Sequence, residues 1–276
     1  MQSLTSRVFV ETGFQGCNTS FVVTDEGLVM IDAPQCPTDA MAWRQEMARR
    51  GELRYVINTE YHIDHTLGNF FFSAPVVASA KTREYFLAFP PTPEDARGRI
   101  APLDPSGLPL LDSYAPRPPS IAFSQQLQLH LGRHTMELLH LPGHTPGQTA
   151  VFIPQERVVC TGDNVVYRSM PYMANSLPRP WLDSLKTIAA LEVDWVVPGH
   201  GEVCDRSYLA EEAALIQEWL ERVGEALDRG WSPQETAERI SFRERYLGRP
   251  GWREFNPEWQ RMNTLRVYQA LREERG

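Results

Sequence analysis

Short apolar runs separated by turn-forming residues fill the first part of the chain. Strand-like runs of this kind cover residues 8–10, 21–23, 28–33 and 53–57. A polar turn at residues 25–27 separates the second run from the third, and this pattern predicts an antiparallel meander. Apolar residues at helical spacing over residues 39–50, with Thr38 as the N-cap, predict a helix between the meander and the fourth strand.

Strands and a helix follow one another again in the second half of the chain. Strand-like runs here cover residues 121–131, 134–141, 149–154, 157–161 and 193–197. The first four runs predict two hairpins. A helix is predicted over residues 181–191, where apolar side chains share one face. Two broadly similar halves of strands and helices indicate an α/β fold.

Residues 89–119 interrupt the pattern. Nine positions in this segment are proline, which lacks a backbone N–H and therefore disfavours the interior of a strand or helix. We expect an irregular insertion that covers the functional site, and the alternative is a passive surface loop. Aromatic side chains in and near it either contact substrate or pin the loop to the core. They are Tyr85, Phe86, Phe89 and Tyr114.

The composition changes after residue 204, where Glu, Arg and Ala become frequent. Helices are predicted over residues 206–229, 233–240 and 262–274. Residues 248–252 contain glycine and proline and should break the helical pattern. We therefore divide the chain into a main domain over residues 1–204, which includes the insertion at 89–119, and a helical extension over residues 205–276. The extension is expected to serve in packing or in a homodimer.

Composition and charge narrow the class of protein. The 276 residues carry a formal charge of −8 with acidic and basic residues interleaved, so we expect a small-molecule substrate and no nucleic-acid partner. No apolar run is long enough for a membrane span and no signal peptide is evident, so a soluble, cytoplasmic protein is expected. The four cysteines are scattered, which argues against a disulfide scaffold and a structural zinc site.

The densest group of ligand-type side chains lies directly after the fourth strand-like run. Glu60, His62, Asp64 and His65 fall within six residues. When this stretch is interpreted as a strand followed by a loop, Glu60, His62 and Asp64 point the same way out of an extended backbone. Imidazole and carboxylate ligands without a thiolate are typical of a catalytic metal site. The alternative is a solvated polar loop with two unrelated histidines.

Three later motifs each place one more ligand-type residue after an apolar run. They contain His144 in Pro-Gly-His-Thr-Pro, Asp163 in Thr-Gly-Asp-Asn and His200 in Pro-Gly-His-Gly. Because side chains at the ends of neighbouring strands meet in one cleft, we expect these residues to join the first group.

The four motifs together, over roughly residues 8 to 202, resemble the metallo-β-lactamase superfamily. The signature of that family is H-x-H-x-D-H, followed by a lone His, a bridging Asp and a last His. The resemblance implies an αβ/βα four-layer sandwich, here with a C-terminal helical extension. It departs at Glu60, which stands where the family has its first His. It also implies that Asp32 supports the metal loop, although a simple turn Asp is an equal alternative.

The resemblance further implies two metal ions. One would be held by Glu60, His62 and His144, the other by Asp64, His65 and His200, with Asp163 bridging them. Zinc is the expected metal, and manganese or iron is the alternative because Glu60 adds a negative charge that favours harder ions. A hydroxide between the ions would attack the substrate, since metal binding lowers the pKa of water from about 16 to about 7. Asp64 is also the expected catalytic residue, because it would orient that hydroxide.

We therefore expect a hydrolase of a small ester, lactone, thioester or amide. A β-lactamase with a Glu-substituted first site is the nearest alternative, although known β-lactamase subclasses lack the bridging Asp163. The third alternative is a di-iron oxygen-handling protein or a non-catalytic metal-binding relative. The di-iron relatives have Glu at the second position of the signature, where this chain has His62. Some relatives use a similar helical tail to hold substrate, which is a further alternative for the extension.

Overall fold

Two mixed β-sheets pack face to face. The computed structural model describes residues 1–247, 249 and 251–275. The first sheet consists of β1 (Gln2–Ser3), β2 (Val8–Glu11), β3 (Thr19–Thr24), β4 (Gly27–Ile31), β5 (Leu53–Ile57), β6 (Val76–Ser79) and β7 (Ile121–Phe123), in that order. Strands β1 to β4 are antiparallel, which confirms the predicted meander, and β4 to β7 are parallel.

The second sheet has the order β12-β11-β10-β9-β8. Its strands are β8 (Gln126–Leu131), β9 (His134–His140), β10 (Thr149–Ile153), β11 (Val158–Val166) and β12 (Trp195–His200). Strands β11 and β12 are parallel, and the other pairs are antiparallel. The single strand predicted over residues 121–131 was wrong, because the chain leaves the first sheet after β7 and enters the second at β8.

Helices cover the outer faces of both sheets. The helices of the described residues are α1 (Pro37–Ala48), α2 (Ile63–Thr66), α3 (Ala80–Ala88), α4 (Pro93–Ile100), α5 (Pro178–Ala189), α6 (Tyr208–Asp228), α7 (Pro233–Arg239), α8 (Arg243–Tyr246) and α9 (Pro257–Arg275). None of the helices in the described part of the chain is both long and apolar enough to cross a membrane.

Alternate residues of the central strands face opposite layers, as the pleat of a strand requires. Phe21 and Met30 pack into the cluster that the first sheet shares with α1 and α4. Val22 and Val29, each one residue away, pack into the cluster between the two sheets. Helices α5, α6 and α9 cover the outer face of the second sheet. The layers therefore run helix, sheet, sheet, helix, which confirms the predicted αβ/βα sandwich.

The proline-rich insertion is more regular than predicted. The Thr92 hydroxyl accepts a hydrogen bond from the Asp95 backbone N–H at 3.1 Å, and the Asp95 carboxylate accepts one from the Thr92 N–H at 2.9 Å, so a capping box starts α4. Pro93 lies in the first turn, where a helix needs no backbone donor. Ile100 is fully buried in the cluster that contains Trp43 of α1. These contacts favour the alternative in which the insertion packs on the core.

The C-terminal helices share a core with the second sheet. Trp219 of α6 and Val267 of α9 are fully buried in the cluster that contains Val196 of β12. The predicted packing role of the extension is therefore confirmed, whereas the homodimer stays a prediction. Two residues of the predicted helix break, Gly248 and Pro250, lie outside the described residues.

Candidate metal centre

The stretch after β5 turns into a helix rather than remaining extended. Strand β5 ends at Ile57, and α2 begins at Ile63, directly after His62. The Thr66 hydroxyl donates to the His62 carbonyl at 3.0 Å, and the Asn58 side chain donates to the His65 carbonyl at 3.1 Å. The predicted extended backbone was therefore wrong, because these local hydrogen bonds close a helical turn that brings Asp64 and His65 back toward the sheet.

The other three predicted ligands lie on the second half of the fold. His144 follows β9, Asp163 lies inside β11, and His200 ends β12. Strand β11 is irregular around Asp163, where Gly162 has a left-handed φ of 52°. An added Cβ at Gly199 would lie 1.8 Å from the Asp163 Oδ1 atom. Glycine at this position therefore leaves the space that the Asp163 carboxylate occupies.

The first predicted ligand set forms one group. The Oε2 atom of Glu60 lies 2.6 Å from His62 Nδ1, and its Oε1 atom lies 3.3 Å from His144 Nε2. The two imidazole nitrogens are 3.1 Å apart. The ligand atoms of all three residues lie within 4.8 Å of one another, which is the spacing that a single bound cation requires.

The second predicted set forms a neighbouring group. Asp64 Oδ2 lies 3.2 Å from His200 Nε2 and 3.9 Å from His65 Nε2. Asp163 lies between the groups, because its Oδ1 is 3.2 Å from His65 Nε2 while its Oδ2 is 3.6 Å from His144 Nε2. The fold thus brings all seven predicted residues together, with Asp163 in the position of a bridge.

The buried polar atoms of this cluster fit divalent metal ions. Among the described residues, both Glu60 carboxylate oxygens, His65 Nε2 and Asp163 Oδ1 are buried without a hydrogen-bond partner of ordinary geometry. Each such group costs about 1 to 3 kcal/mol when it is left unsatisfied. All of these atoms face one another, so a cation between them would satisfy them together. The donor set of imidazole and carboxylate, without thiolate, suits zinc and harder divalent ions.

The charges of the cluster favour the same interpretation. Burial raises the pKa of Glu60, but the neighbouring His62 and His144 lower it more, to about 2. Burial also acts against ionisation of Asp64, yet His65 and His200 lower its pKa below the usual range. The carboxylates are therefore anionic at neutral pH and supply the negative charge that a cation needs.

Asp32 orients the buried ligand His65. Its Oδ2 accepts hydrogen bonds from His65 Nδ1 at 2.9 Å and from the Thr59 hydroxyl at 2.7 Å, and its Oδ1 accepts one from the Thr59 N–H at 2.8 Å. With Nδ1 engaged in this way, His65 presents Nε2 to the cluster. Asp32 thus supports the loop that carries the predicted ligands and is more than a simple turn residue, whereas its support of a bound metal stays a prediction.

Two asparagines with supporting roles were missed by the sequence reasoning. Asn164 Oδ1 accepts a hydrogen bond from the His144 N–H at 2.9 Å, and its position directly after Asp163 was the available signal. The side chain of Asn18 donates to the carbonyls of Pro198 and Gly201, each at 2.8 Å. Asn18 thereby ties the first half of the fold to the loop that carries His200.

A third cluster of ligand-type atoms does not suit a metal ion. Cys17 lies with Asp32 and His65. Burial raises the pKa of the Cys17 thiol to about 12, which disfavours the thiolate that a metal requires. Both oxygens of Asp32 already accept the hydrogen bonds described above. The three residues therefore act as support for the predicted centre.

Comparison with known proteins agrees with the geometry. A hydroxyacylglutathione hydrolase from Bartonella quintana (strain Toulouse) is 25% identical over 161 residues, which make up 58% of this chain and 52% of that protein. The chain thus spans about half the length of the curated relatives that it matches. The names of these relatives support the prediction of an enzyme of the hydrolase class.

Solved structures show the same fold. A metallo-beta-lactamase family protein from Thermus thermophilus has a TM-score of 0.68 at 20% identity, over 99% of this chain and 95% of that one. The sec-alkylsulfatase Pisa1 from Pseudomonas sp. has a TM-score of 0.71 at 17% identity, over 97% of this chain and 49% of that one. Residues 12–200, which include all seven predicted ligands, match the model of one family. On this match, the chain belongs to the metallo-beta-lactamase superfamily.

Proposed function

We propose that the protein is a metal-dependent hydrolase that cleaves a small ester, lactone, thioester or amide at a centre of two divalent metal ions. The observation that carries this proposal is the meeting of seven ligand-type side chains from four separate segments, with buried polar atoms that face one another. Relatives named hydroxyacylglutathione hydrolase favour a thioester within this group of substrates.

The residues divide between the two ions as the resemblance implies. Glu60, His62 and His144 would hold one ion, Asp64, His65 and His200 the other, and Asp163 both. When bound, the ions supply Lewis acidity and lower the pKa of a bound water from about 16 to about 7. Zinc is the first choice for these ligands, with manganese or iron as the alternative because a carboxylate replaces one imidazole at Glu60.

The exposed side of the cluster supports a direction of substrate approach. The side chains of His62, Asp64 and His200 are 23%, 16% and 17% exposed, whereas those of Glu60 and His65 are fully buried. A substrate carbonyl therefore approaches across the first three residues. Asp64 lies on this open side with its Oδ2 atom 3.2 Å from His200 Nε2, and we assign to its carboxylate the orientation of the attacking water and acceptance of its proton.

A substrate panel with a matched variant tests this proposal. The panel contains a thioester, an ester, a lactone, an amide and a cephalosporin, assayed with zinc, manganese or iron. We expect hydrolysis of a carbonyl substrate that Asp64→Asn reduces at least about 100-fold, since positioned acid–base groups contribute about 10² to 10⁴. Asp183→Asn, which changes an exposed aspartate of α5, is the control.

Three results would overturn parts of the proposal. Wild-type turnover in a folded Asp64→Asn protein would remove Asp64 from the mechanism. Preferred cleavage of the cephalosporin would favour the β-lactamase alternative. No hydrolysis of any substrate by protein that contains iron and absorbs visible light would favour the di-iron alternative.

A further inference from the structure

Three aromatic side chains from the first half of the chain form a row that leads away from the candidate metal centre. The ring of Tyr61 lies 5.0 Å from that of His62 and stacks on the ring of Tyr85 at 3.7 Å. Phe89 follows, with its ring 5.1 Å from that of Tyr85. We call Tyr61, Tyr85 and Phe89 the first aromatic row.

A second row approaches the same histidine from the other half of the chain. The ring of Tyr172 lies 6.0 Å from that of His62 and 6.4 Å from that of His144. Trp259, near the start of α9, lies 5.5 Å from Tyr172. We call Tyr172 and Trp259 the second aromatic row. The C-terminal extension therefore contributes a side chain to the surroundings of the proposed metal centre.

The outer members of both rows are exposed. Phe89 is 68% exposed, Trp259 38% and Tyr85 37%. Single exposed apolar side chains are common, but these three belong to two rows that both start at His62, on the open side of the cluster. Apolar surface grouped beside a polar site is typical of a site that binds a partly apolar ligand.

The second row is held in place by a buried amide. The Asn263 side chain, which is fully buried, donates to the Pro171 carbonyl and accepts from the Met173 N–H, both at 2.8 Å. These two bonds fix the backbone on both sides of Tyr172. The Asn256 side chain also accepts a hydrogen bond from the N–H of Trp259 at 3.1 Å. Both rings are thus held in place before substrate binds, which lowers the entropic cost of binding.

We propose that the two aromatic rows bind an extended apolar group, alkyl or aryl, that lies next to the scissile bond of the substrate. This inference rests on the proposed function and narrows it to esters or thioesters with a long apolar acyl or leaving group. Each methylene that a ligand buries on these rings strengthens binding about fourfold. A change of two carbons in the substrate should therefore be easy to detect.

Two matched substrate series test the inference on the zinc-loaded full chain. In one, the acyl group of a thioester grows from acetyl to octanoyl with a constant leaving group; in the other, the leaving group grows with a constant acetyl. We expect kcat/KM to rise about fourfold per carbon over the first few additions in at least one series. Trp259→Ala and Phe89→Ala should flatten this dependence, and because both side chains are exposed their removal leaves the core intact.

Trp195→Ala is the matched control. Trp195 has the same 38% exposure as Trp259 but begins β12, the strand whose far end carries His200. This variant should keep the full dependence on chain length. An equal loss in the Trp195 and Trp259 variants would overturn the inference.

Binding measured without turnover separates this inference from the proposed function. Calorimetry with alkanoates from acetate to octanoate should show tighter binding with each carbon in the wild type and a weaker trend in Trp259→Ala. If this trend is present but nothing is hydrolysed, the proposed function fails and the apolar site stands. If hydrolysis occurs while both substrate series and the alkanoate series are flat, the apolar site is wrong and the proposed function stands.

Discussion

Replacing Asp32 tests the metal centre without removing a proposed ligand. Asp32→Asn preserves the size of the side chain, and asparagine tolerates the left-handed φ of 55° at this position. The Oδ1 atom must still accept the Thr59 N–H, so the new NH₂ group takes the place of Oδ2 and faces His65 Nδ1. His65 Nδ1 must then accept a hydrogen bond from this NH₂ group, so the imidazole proton moves to Nε2. A protonated Nε2 has no lone pair for a metal ion.

The size of the effect follows from the role of such supporting carboxylates. Their loss typically reduces metal affinity about 10- to 100-fold, or about 1.4 to 2.7 kcal/mol. Only the ion held by His65 should be affected, because Asp32 makes no hydrogen bond to His62 or His144 among the described residues.

A chelator competition measures both affinities. Zinc is titrated into metal-stripped wild type, Asp32→Asn and the control Asp183→Asn in the presence of a chromophoric chelator, and thermal denaturation checks that each protein is folded. We expect one weakened site in Asp32→Asn and two unchanged sites in the control. Equal affinities for both ions in folded Asp32→Asn and wild type would show that Asp32 does not control metal binding by His65.

Three further predictions concern other parts of the molecule. Glu60→Gln should lower occupancy of one metal site while the other keeps its ion, because an amide lacks the carboxylate charge; unchanged stoichiometry and affinity by metal titration would show that Glu60 is not a ligand. Ile100→Ala should lower the free energy of unfolding by about 2 to 5 kcal/mol in urea while metal content is unchanged, since Ile100 is fully buried in the insertion; a loss near zero would mean that the insertion is dispensable. Burial and two nearby carboxylates raise the pKa of Glu212 well above its usual value, so the folded state keeps a proton that the unfolded state loses above about pH 4.3, and the contribution of Glu212 to stability should fall as pH rises from there. Glu212→Gln should remove this contribution, so that with rising pH the melting temperature of the variant increases relative to that of the wild type; parallel curves for the two proteins would contradict this assignment.

The position of the site could be predicted because its ligands follow apolar strands. Side chains at strand ends meet in one cleft, so His144 and His200, far apart in sequence, were expected beside the 60–65 segment. The backbone between Glu60 and His65 was not predictable from alternation, because α2 depends on hydrogen bonds from Asn58 and Thr66. The alternation at residues 121–131 did not indicate that this run divides into two strands that belong to different sheets.

Other features depend on contacts that no local pattern reports. Thr92 and Asp95 have the spacing of a capping box, and the prediction made from the prolines of the insertion did not use this signal. Tyr172 and Trp259 are separated by a long stretch of chain. They lie side by side because Asn263 binds the backbone on both sides of Tyr172, in the loop between β11 and α5. The second aromatic row therefore depends on the packing of the extension, which the sequence pattern does not report.

The proposed function requires that the seven residues hold two metal ions that support hydrolysis. The most direct measurement is a zinc titration of the metal-stripped full chain, with bound metal and hydrolysis of one thioester followed in the same samples. We predict two equivalents of bound zinc per chain and a rate that reaches its maximum only when the second equivalent is bound. Hydrolysis at full rate without bound metal, or saturation at a single equivalent, would contradict a functional centre of two metal ions.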